Sequence, residues 1–321
     1  MNERRETAED DQAPRKEVFV PFPRARQAAL AALLLVPLTA CTAEAPKPAA
    51  PTSAAATPAA APQPDFAPLE RSFDARLGVY ALDTGSGREV VHRADERFGY
   101  ASAHKAFSAA AVLQRTSIED LAKVLTYRRA DLQENSPVTE KHVDTGISLR
   151  DAIDAALRYS DNTAANLLFQ QLGGPPGLAA ALRAIGDTTT HVDRTEPALN
   201  DLAPGDIRDT STPRAMAGTL RTFALGDALP PEKRTMYTDM MRANKTGANV
   251  IRAGTPAGWA VADKTGTGEY ATRNDIAVVW PPGRAPIVLA VMSSRQAEHA
   301  EHDDRLIAQA AKLVFDALKT S

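Results

Sequence analysis

Residues 76–93 read RLGVYALDTGSGREVVHR, and this stretch sets the fold. The apolar-rich segments 76–83 and 89–93 predict two strands, and Thr84-Gly85-Ser86-Gly87 between them predicts the turn of a hairpin. Strand patterns return only near the C-terminus, at residues 259–264, 276–280 and 286–293. The simplest assembly pairs the early hairpin with these three late strands.

Helical patterns fill the chain between the hairpin and the late strands. They cover residues 104–115, 149–159, 163–172, 177–185, 213–225 and 232–243, and a final amphipathic helix covers about 303–318. This order predicts one mixed sheet and helix body at 67–321. Its sheet-helix part would be 67–99 and 243–321, and a helical part at 100–242 would interrupt it. The junction between the two parts is a natural cleft for a ligand.

The composition favours an ordinary globular protein without a nucleic-acid partner. The chain has 321 residues, 44% of them hydrophobic, and a formal net charge of -3, so a sizeable core is easily supported. The closest histidine pair, His299 and His302, has no third spaced ligand, so no metal and no other cofactor is expected. Nothing in the sequence indicates more than a monomer.

The N-terminal residues predict an exported protein. Arg24 and Arg26 precede an apolar run at 28–38, which has the length of a signal-peptide core and is too short to span a membrane. The run ends in Leu38-Thr39-Ala40-Cys41, which resembles a bacterial lipoprotein box. Residues 1–41 are therefore predicted to be a signal peptide, with lipid on Cys41 anchoring an extracytoplasmic protein to the cell membrane. The alternative is an ordinary secretory signal with an incidental cysteine.

Residues 42–66 form a segment of different composition. They contain ten alanines and six prolines, and proline at that density blocks helix propagation. With little that is bulky to bury, this segment is predicted to be a disordered or extended tether ahead of the folded body.

Four polar motifs follow one another along the predicted body. They are Ser102-Ala103-His104-Lys105, Ser160-Asp161-Asn162, Glu196 with Asn200, and Lys264-Thr265-Gly266. Together they supply a nucleophilic hydroxyl, two lysines, a relay hydroxyl and a carboxylate, which are the parts needed to form and then hydrolyse an acyl-enzyme. Each motif alone has a structural interpretation, and Ser160-Asp161-Asn162 in particular is typical of a helix cap.

The Lys-Thr-Gly tripeptide occurs twice, and its context separates the two copies. Lys245-Thr246-Gly247 follows a helical stretch, where Gly247 suits a C-terminal cap. Lys264-Thr265-Gly266 instead ends an alternating strand pattern and continues as Thr267-Gly268. A strand edge there can present backbone N–H groups and threonine hydroxyls to a ligand, so the later copy is the functional candidate.

Taken as an ordered set, these residues resemble the class A serine β-lactamases of bacteria, over about 72–318. The resemblance implies a mixed α and β fold with a five-stranded antiparallel sheet flanked by helices and an inserted all-helical subdomain. It also implies hydrolysis of β-lactam antibiotics, and hence antibiotic resistance. Residues 193–200 look like the omega loop of the family. There the resemblance implies an Arg194–Asp209 salt bridge and a cis Glu196–Pro197 bond.

The resemblance also assigns roles in acylation. Ser102 would attack the β-lactam carbonyl, and the backbone N–H groups of Ser102 and Thr267 would receive the developing oxyanion. Ser160 would relay a proton to the departing ring nitrogen, while Lys105 and Lys264 would supply positive charge.

The remaining implied roles concern deacylation and substrate binding. Glu196, with Asn200, would position and deprotonate the hydrolytic water, and whether Lys105 or Glu196 activates Ser102 is disputed for the family and stays open. Asn162 would bind the substrate side-chain amide. The other implied substrate-binding residues, which include a clamp for the substrate carboxylate, are Thr265, Gly266, Thr267 and Arg273.

Two other functions share part of this pattern. A penicillin-binding D-Ala-D-Ala peptidase has the serine, lysine and Lys-Thr-Gly elements but generally lacks the omega-loop carboxylate, so Glu196 and Asn200 count against it. A surface lipoprotein that binds a partner without catalysis would have no need for Ser102.

Some positions depart from the family pattern. Ala103, Asn135 and Thr195 leave the substrate preference open, but none of these departures removes a reacting group.

Overall fold

The computed structural model describes residues 63–319. The predicted signal peptide, Cys41 with its lipoprotein box, and residues 42–62 of the predicted tether lie outside this range. Within residues 63–319, no helix is both long enough and apolar enough to cross a membrane.

The strands of the described chain form one large sheet and two small ones. In chain order they are β1 Arg76–Asp83, β2 Glu89–His92, β3 Phe98–Gly99, β4 Val124–Leu125, β5 Ile147–Ser148, β6 Thr210–Ser211, β7 Ala260–Gly268, β8 Thr272–Trp280 and β9 Ile287–Ser294. The two small sheets pair β3 with β6 and β4 with β5.

The helices lie mostly between β3 and β7. In chain order they are α1 Ala67–Phe73, α2 His104–Arg115, α3 Leu149–Arg158, α4 Asn162–Leu172, α5 Pro175–Ala184, α6 Pro213–Ala224, α7 Pro231–Arg242, α8 Ile251–Gly254 and α9 Asp304–Lys319. A short 3₁₀ turn, Ala101–Ala103, precedes α2.

The large sheet has the order β2-β1-β9-β8-β7, and every neighbouring pair is antiparallel. The hairpin at 76–93 therefore pairs with the three late strands, which confirms the predicted five-stranded sheet. β8 begins at Thr272, four residues before the predicted start. Its first residues, Thr272 to Asp275, are polar yet buried by pairing with β7 and β9, so their composition concealed the strand.

Both faces of the sheet are covered, which explains why its strands are apolar almost throughout. One face carries Leu77, Val79 and Val291 against the apolar side of α9. The other face carries Tyr80, Ile276 and Val278 against the helical part. The centre of that part is α2, which is buried from His104 to Leu113. Because α2 is surrounded by other elements, the residues at its N-terminus are held rigidly beside the sheet edge.

The structure differs from the prediction at the end of the tether. The side chain of Phe66 is 1% exposed and packs in the core beneath α9, and Gln63 makes hydrogen bonds with the backbone of Glu89 and Val91. Residues 63–66 therefore pack on the body, although their alanine- and proline-rich neighbours predicted a tether as far as residue 66. Burial of one large aromatic side chain contributes on the order of 2 kcal/mol, and together with the two Gln63 hydrogen bonds it favours the packed conformation of this short segment.

Candidate active site

The predicted nucleophile lies in the 3₁₀ turn directly before α2. Ala101 has a φ of 45°, a conformation uncommon for a residue with a Cβ, and it begins this sharp turn. The turn leaves Ser102 only 9% exposed, with its Oγ donating to Oε1 of Glu196 at 3.3 Å. The sequence therefore places a serine hydroxyl at the N-terminal end of a buried helix, facing a carboxylate.

Lys105, the second residue of α2, is fully buried three residues beyond Ser102. Its Nζ lies 2.9 Å from Oε1 of Glu196, and it donates to the backbone oxygen of Ser160 at 2.8 Å and to Oδ1 of Asn162 at 2.5 Å. Burial lowers the pKa of Lys105, and the nearby Glu196 charge opposes that effect without cancelling it. A lysine with a lowered pKa can accept a proton from a neighbouring hydroxyl.

Glu196 connects the nucleophile to the loop. Its Oε1 faces Ser102 and Lys105, while Nδ2 of Asn200 donates to its Oε2 at 2.6 Å. Burial raises the pKa of Glu196, but Lys105 and His104 outweigh burial and hold that pKa well below its usual range. Because this pKa is depressed, the carboxylate is ionised at neutral pH and gains its proton only as the pH falls.

The loop around Glu196 is held by contacts at both of its ends. Arg194 Nε donates to Asp209 Oδ2 at 2.6 Å, which confirms the salt bridge that the resemblance implied. The Glu196–Pro197 bond is cis, as was also implied. The side chain of Asn166 on α4 makes hydrogen bonds with both the backbone N–H and the backbone oxygen of Glu196. These contacts fix the position of the carboxylate relative to Ser102.

Ser160, Asp161 and Asn162 join α3 to α4, and they serve both as a helix cap and as part of the site. Asp161 caps α4 by accepting from the backbone N–H of Ala164 at 2.8 Å, and it also accepts three hydrogen bonds from Val138 and Thr139. The buried Asp161 carboxylate thus anchors the turn that presents Ser160 and Asn162 to Lys105. The cap interpretation and the catalytic interpretation are therefore compatible.

Lys264 comes from β7 and approaches the same serine from the other side. Its Nζ donates to Ser160 Oγ at 3.1 Å and to the backbone oxygen of Thr265 at 2.8 Å. Burial, together with the positive charge of Lys105, lowers the pKa of Lys264 to about 7. An anionic group bound nearby would favour the charged form of Lys264, so this lysine is suited to binding a substrate carboxylate.

Gly266 allows the edge of β7 to lie against the nucleophile turn. A Cβ at this position would lie 2.5 Å from the backbone oxygen of Tyr100 and 3.0 Å from the backbone nitrogen of Ala103. Any larger residue would push the strand away from Ser102. The sequence requirement for glycine in the second Lys-Thr-Gly copy therefore has a direct steric cause.

Arg273 lies opposite Thr267 in the β7–β8 pair and is itself mostly buried. Its guanidinium donates to Thr267 Oγ1 at 2.9 Å and to Asp304 Oδ1 at 2.7 Å. These two contacts orient the arginine beside Thr267 at the exposed end of β7, two residues from the buried Thr265. The structure thus brings the whole predicted clamp together at one strand edge.

The first Lys-Thr-Gly copy lies closer to the site than the sequence predicted. Helix α7 ends at Arg242, so the prediction that Gly247 caps a helix is wrong. The glycine is required because a Cβ there would lie 1.8 Å from the Asp263 carboxylate. Thr246 hydrogen-bonds through its Oγ1 to Oγ1 of Thr265 at 2.6 Å. Only tertiary packing brings these two threonines together, so no local signal could have identified Thr246.

Sequence reasoning also missed His104, whose buried ring lies beside Glu196. Its Nε2 is 3.5 Å from Glu196 Oε1. The available signal was its position inside the Ser102-to-Lys105 motif.

Among residues 63–319, no cluster of three or more His, Cys, Asp or Glu side chains is placed to hold a metal ion.

A five-stranded sheet interrupted by a helical part, with a serine, two lysines and a carboxylate converging at their junction, defines a serine acyl-transfer enzyme. The family model described as the Beta-lactamase enzyme family matches residues 62–318. A β-lactamase from Bacillus amyloliquefaciens is 57% identical over 254 residues, which are 79% of this chain and 83% of that protein.

Two further similar proteins are also β-lactamases. A β-lactamase from Amycolatopsis lactamdurans is 56% identical over 269 residues, covering 84% of this chain and 89% of that protein. The crystal structure of a class A β-lactamase from Clostridium kluyveri DSM 555 has a TM-score of 0.79 and 46% identity, covering 79% of this chain and 97% of that one. The chain belongs to the β-lactamase family and is a class A serine β-lactamase.

Proposed function

We propose that the chain hydrolyses β-lactam antibiotics through an acyl-enzyme on Ser102. Ser102 Oγ attacks the lactam carbonyl, the C–N bond breaks, and the ring nitrogen takes a proton relayed by Ser160. The backbone N–H groups of Ser102 and Thr267 stabilise the oxyanion. Glu196 Oε1 accepts from Ser102 Oγ, and Lys105 Nζ lies 2.9 Å from the same carboxylate oxygen. Either group is therefore close enough to be the acceptor of the Ser102 proton.

Release of the acyl group is the step that makes the enzyme hydrolytic. Glu196 takes a proton from water, the water oxygen attacks the ester carbonyl, and the proton returns to Ser102 Oγ as the ester bond breaks. Asn200, which donates to Glu196, would hold that water together with the carboxylate. Asn162 would bind the substrate side-chain amide. The substrate carboxylate would be bound by Lys264, Thr265, Thr267 and Arg273, beside Gly266.

The observation that carries this proposal is the placement of Glu196. An ionised, buried carboxylate lies 3.3 Å from the nucleophile, on a loop fixed by Arg194 and Asp209. A penicillin-binding peptidase has no need for such a base, and a non-catalytic lipoprotein has no need for the buried serine beside it. Both alternatives leave this arrangement without a role.

Capture of the intermediate tests the proposal. Wild-type protein is mixed with a slowly hydrolysed cephalosporin, quenched with acid within milliseconds, digested and analysed by mass spectrometry. We expect the adduct on the peptide that contains Ser102, and we expect it to disappear from samples quenched after the drug is exhausted. An adduct on another residue would contradict the proposed nucleophile, and an adduct that never disappears would support the peptidase alternative.

We propose further that the protein is exported and anchored to the extracytoplasmic face of the cell membrane by lipid on Cys41. The support is the sequence alone: Arg24 and Arg26, the apolar run at 28–38, and the Leu38-to-Cys41 box. Replacing Cys41 by alanine should move the enzyme from the membrane fraction to the medium, measured by activity in each fraction. Wild-type protein found in the medium with a free Cys41 thiol would contradict the lipid anchor.

A further inference from the structure

His104 is a buried histidine whose chemistry the proposed mechanism does not use. It is 1% exposed, and its ring stacks on Phe169 with centroids 5.1 Å apart and planes 22° from parallel. Neither ring nitrogen makes a hydrogen bond within the described residues. Burying unpaired ring nitrogens costs free energy, so a phenylalanine would stack on Phe169 at lower cost. The position of Nε2, 3.5 Å from Glu196 Oε1, suggests what the nitrogen contributes.

The surroundings lower the pKa of the His104 ring and so favour its neutral form. Burial lowers its pKa most strongly, the charges of the two lysines lower it further, and the Glu196 carboxylate opposes them without prevailing. Tyr100 lies 5.9 Å from the ring, but its hydroxyl donates away to Asp209. The titratable groups around the ring are Lys105 of α2, Lys264 of β7, Glu196 of the loop, and Tyr100 of the turn before α2.

We propose that His104 is a positioning residue for deacylation: its neutral ring directs Nε2–H at Oε1 of Glu196 and favours the ionised carboxylate that accepts a proton from water. This inference rests on the proposed role of Glu196. A neutral imidazole carries one ring proton, and the tautomer with that proton on Nε2 places it against the acceptor. At 3.5 Å the contact is mainly electrostatic, at the outer edge of hydrogen-bonding distance.

His104 supplies something that Lys105 cannot. Lys105 is the closer partner of Oε1, at 2.9 Å, but it is also one of the two groups that could take the Ser102 proton. Its charge at Glu196 therefore changes if it takes part in that transfer. The N–H of a neutral imidazole is not lost in the working pH range, so His104 presents a constant dipole to the carboxylate. Nδ1 has no hydrogen-bond partner within residues 63–319, so the ring cannot relay a proton from Nε2 to a second group through Nδ1.

The test is the pH dependence of kcat for the full chain, with a penicillin for which deacylation limits turnover. The acid limb of such a profile reports the titration of the base in the acyl-enzyme. In His104→Phe we expect the midpoint of this limb to rise by about 0.5–1 pH unit, which is a loss of about three- to tenfold in kcat on the acid side. The plateau near neutral pH should change little. His104→Gln, which keeps an N–H near the Nε2 position, should restore the wild-type midpoint.

A matched control comes from the other histidine that faces a glutamate. The ring of His92 packs at a tilt against Phe66, and its Nε2 lies 3.3 Å from Glu70 Oε2. His92 is on β2, at the opposite edge of the large sheet from β7, so His92→Phe should leave the acid limb unchanged. An unshifted midpoint in a folded His104→Phe variant, or equal shifts in the Phe and Gln variants, would overturn the inference.

A measurement on the wild type does not depend on whether the variants fold. Nitrogen-15 NMR of the His104 ring should show a neutral Nε2–H tautomer across the active pH range, and an Nδ1–H tautomer or an imidazolium would overturn the inference. The proposed role of Glu196 fails separately, if the acid limb persists in Glu196→Ala. An unmoved limb in His104→Phe, together with slow deacylation in Glu196→Ala, rejects only the role of His104.

Discussion

Replacement of Ser102 by alanine is expected to abolish β-lactam hydrolysis. The variant keeps the fold and the binding groups but has no hydroxyl to form the acyl-enzyme, so kcat/KM should fall by about 10⁴-fold or more. That loss corresponds to roughly 5.5 kcal/mol of transition-state stabilisation. The measurement is the initial rate with a chromogenic cephalosporin, followed over hours so that a residual rate can be quantified.

The matched control is Ser108→Ala. Ser108 is buried on α2, the helix that follows the turn with Ser102, and its hydroxyl donates along the helix to the backbone oxygen of Lys105 at 3.3 Å. Its loss removes one buried hydroxyl from the same helix without touching the reacting groups, so kcat/KM should stay within about threefold of wild type. Both variants should unfold cooperatively near the wild-type temperature. Turnover by a folded Ser102→Ala variant at the wild-type rate would refute the covalent mechanism.

The elements that the sequence predicted well are those with strong local signals. The hairpin at 76–93 has two apolar-rich segments and a glycine-rich turn, and β1 begins and ends at the predicted residues. Helix α6 begins at Pro213 as predicted, because Thr212 caps it and proline suits its first turn. The five-stranded sheet followed from these signals and from the order of the elements.

Features that depend on long-range contacts were not predicted. Phe66 is buried only because α9, more than 230 residues later, covers it. Thr246 reaches Thr265 only because α7 and β7 lie side by side. His104 was visible in its motif, but the motif does not say that a loop some 90 residues away brings a carboxylate to the ring. The site was predictable as a set of parts, whereas the contacts among those parts required the fold.

Replacement of Glu196 by alanine is expected to separate the two halves of the reaction. Ser102, Lys105, Ser160 and Lys264 remain, so the variant should still open a good penicillin and bind it covalently. Without the ionised carboxylate, the water has no base, and deacylation should slow by about 10³-fold or more. Intact-protein mass spectrometry should show one equivalent of adduct with the full mass of the drug, because ring opening expels no fragment.

Glu269→Ala is the matched control, since Glu269 is an exposed carboxylate just beyond β7 whose backbone N–H donates to the backbone oxygen of Asn200. It should turn over normally and accumulate no adduct. Absence of an adduct in Glu196→Ala would mean that acylation itself needs Glu196, and it would contradict a role confined to water. An equally long-lived adduct in the wild type would instead identify a peptidase-like enzyme that acylates without release. The lifetime of the Ser102 ester, compared across these three proteins, therefore decides whether the buried carboxylate makes this serine enzyme a hydrolase.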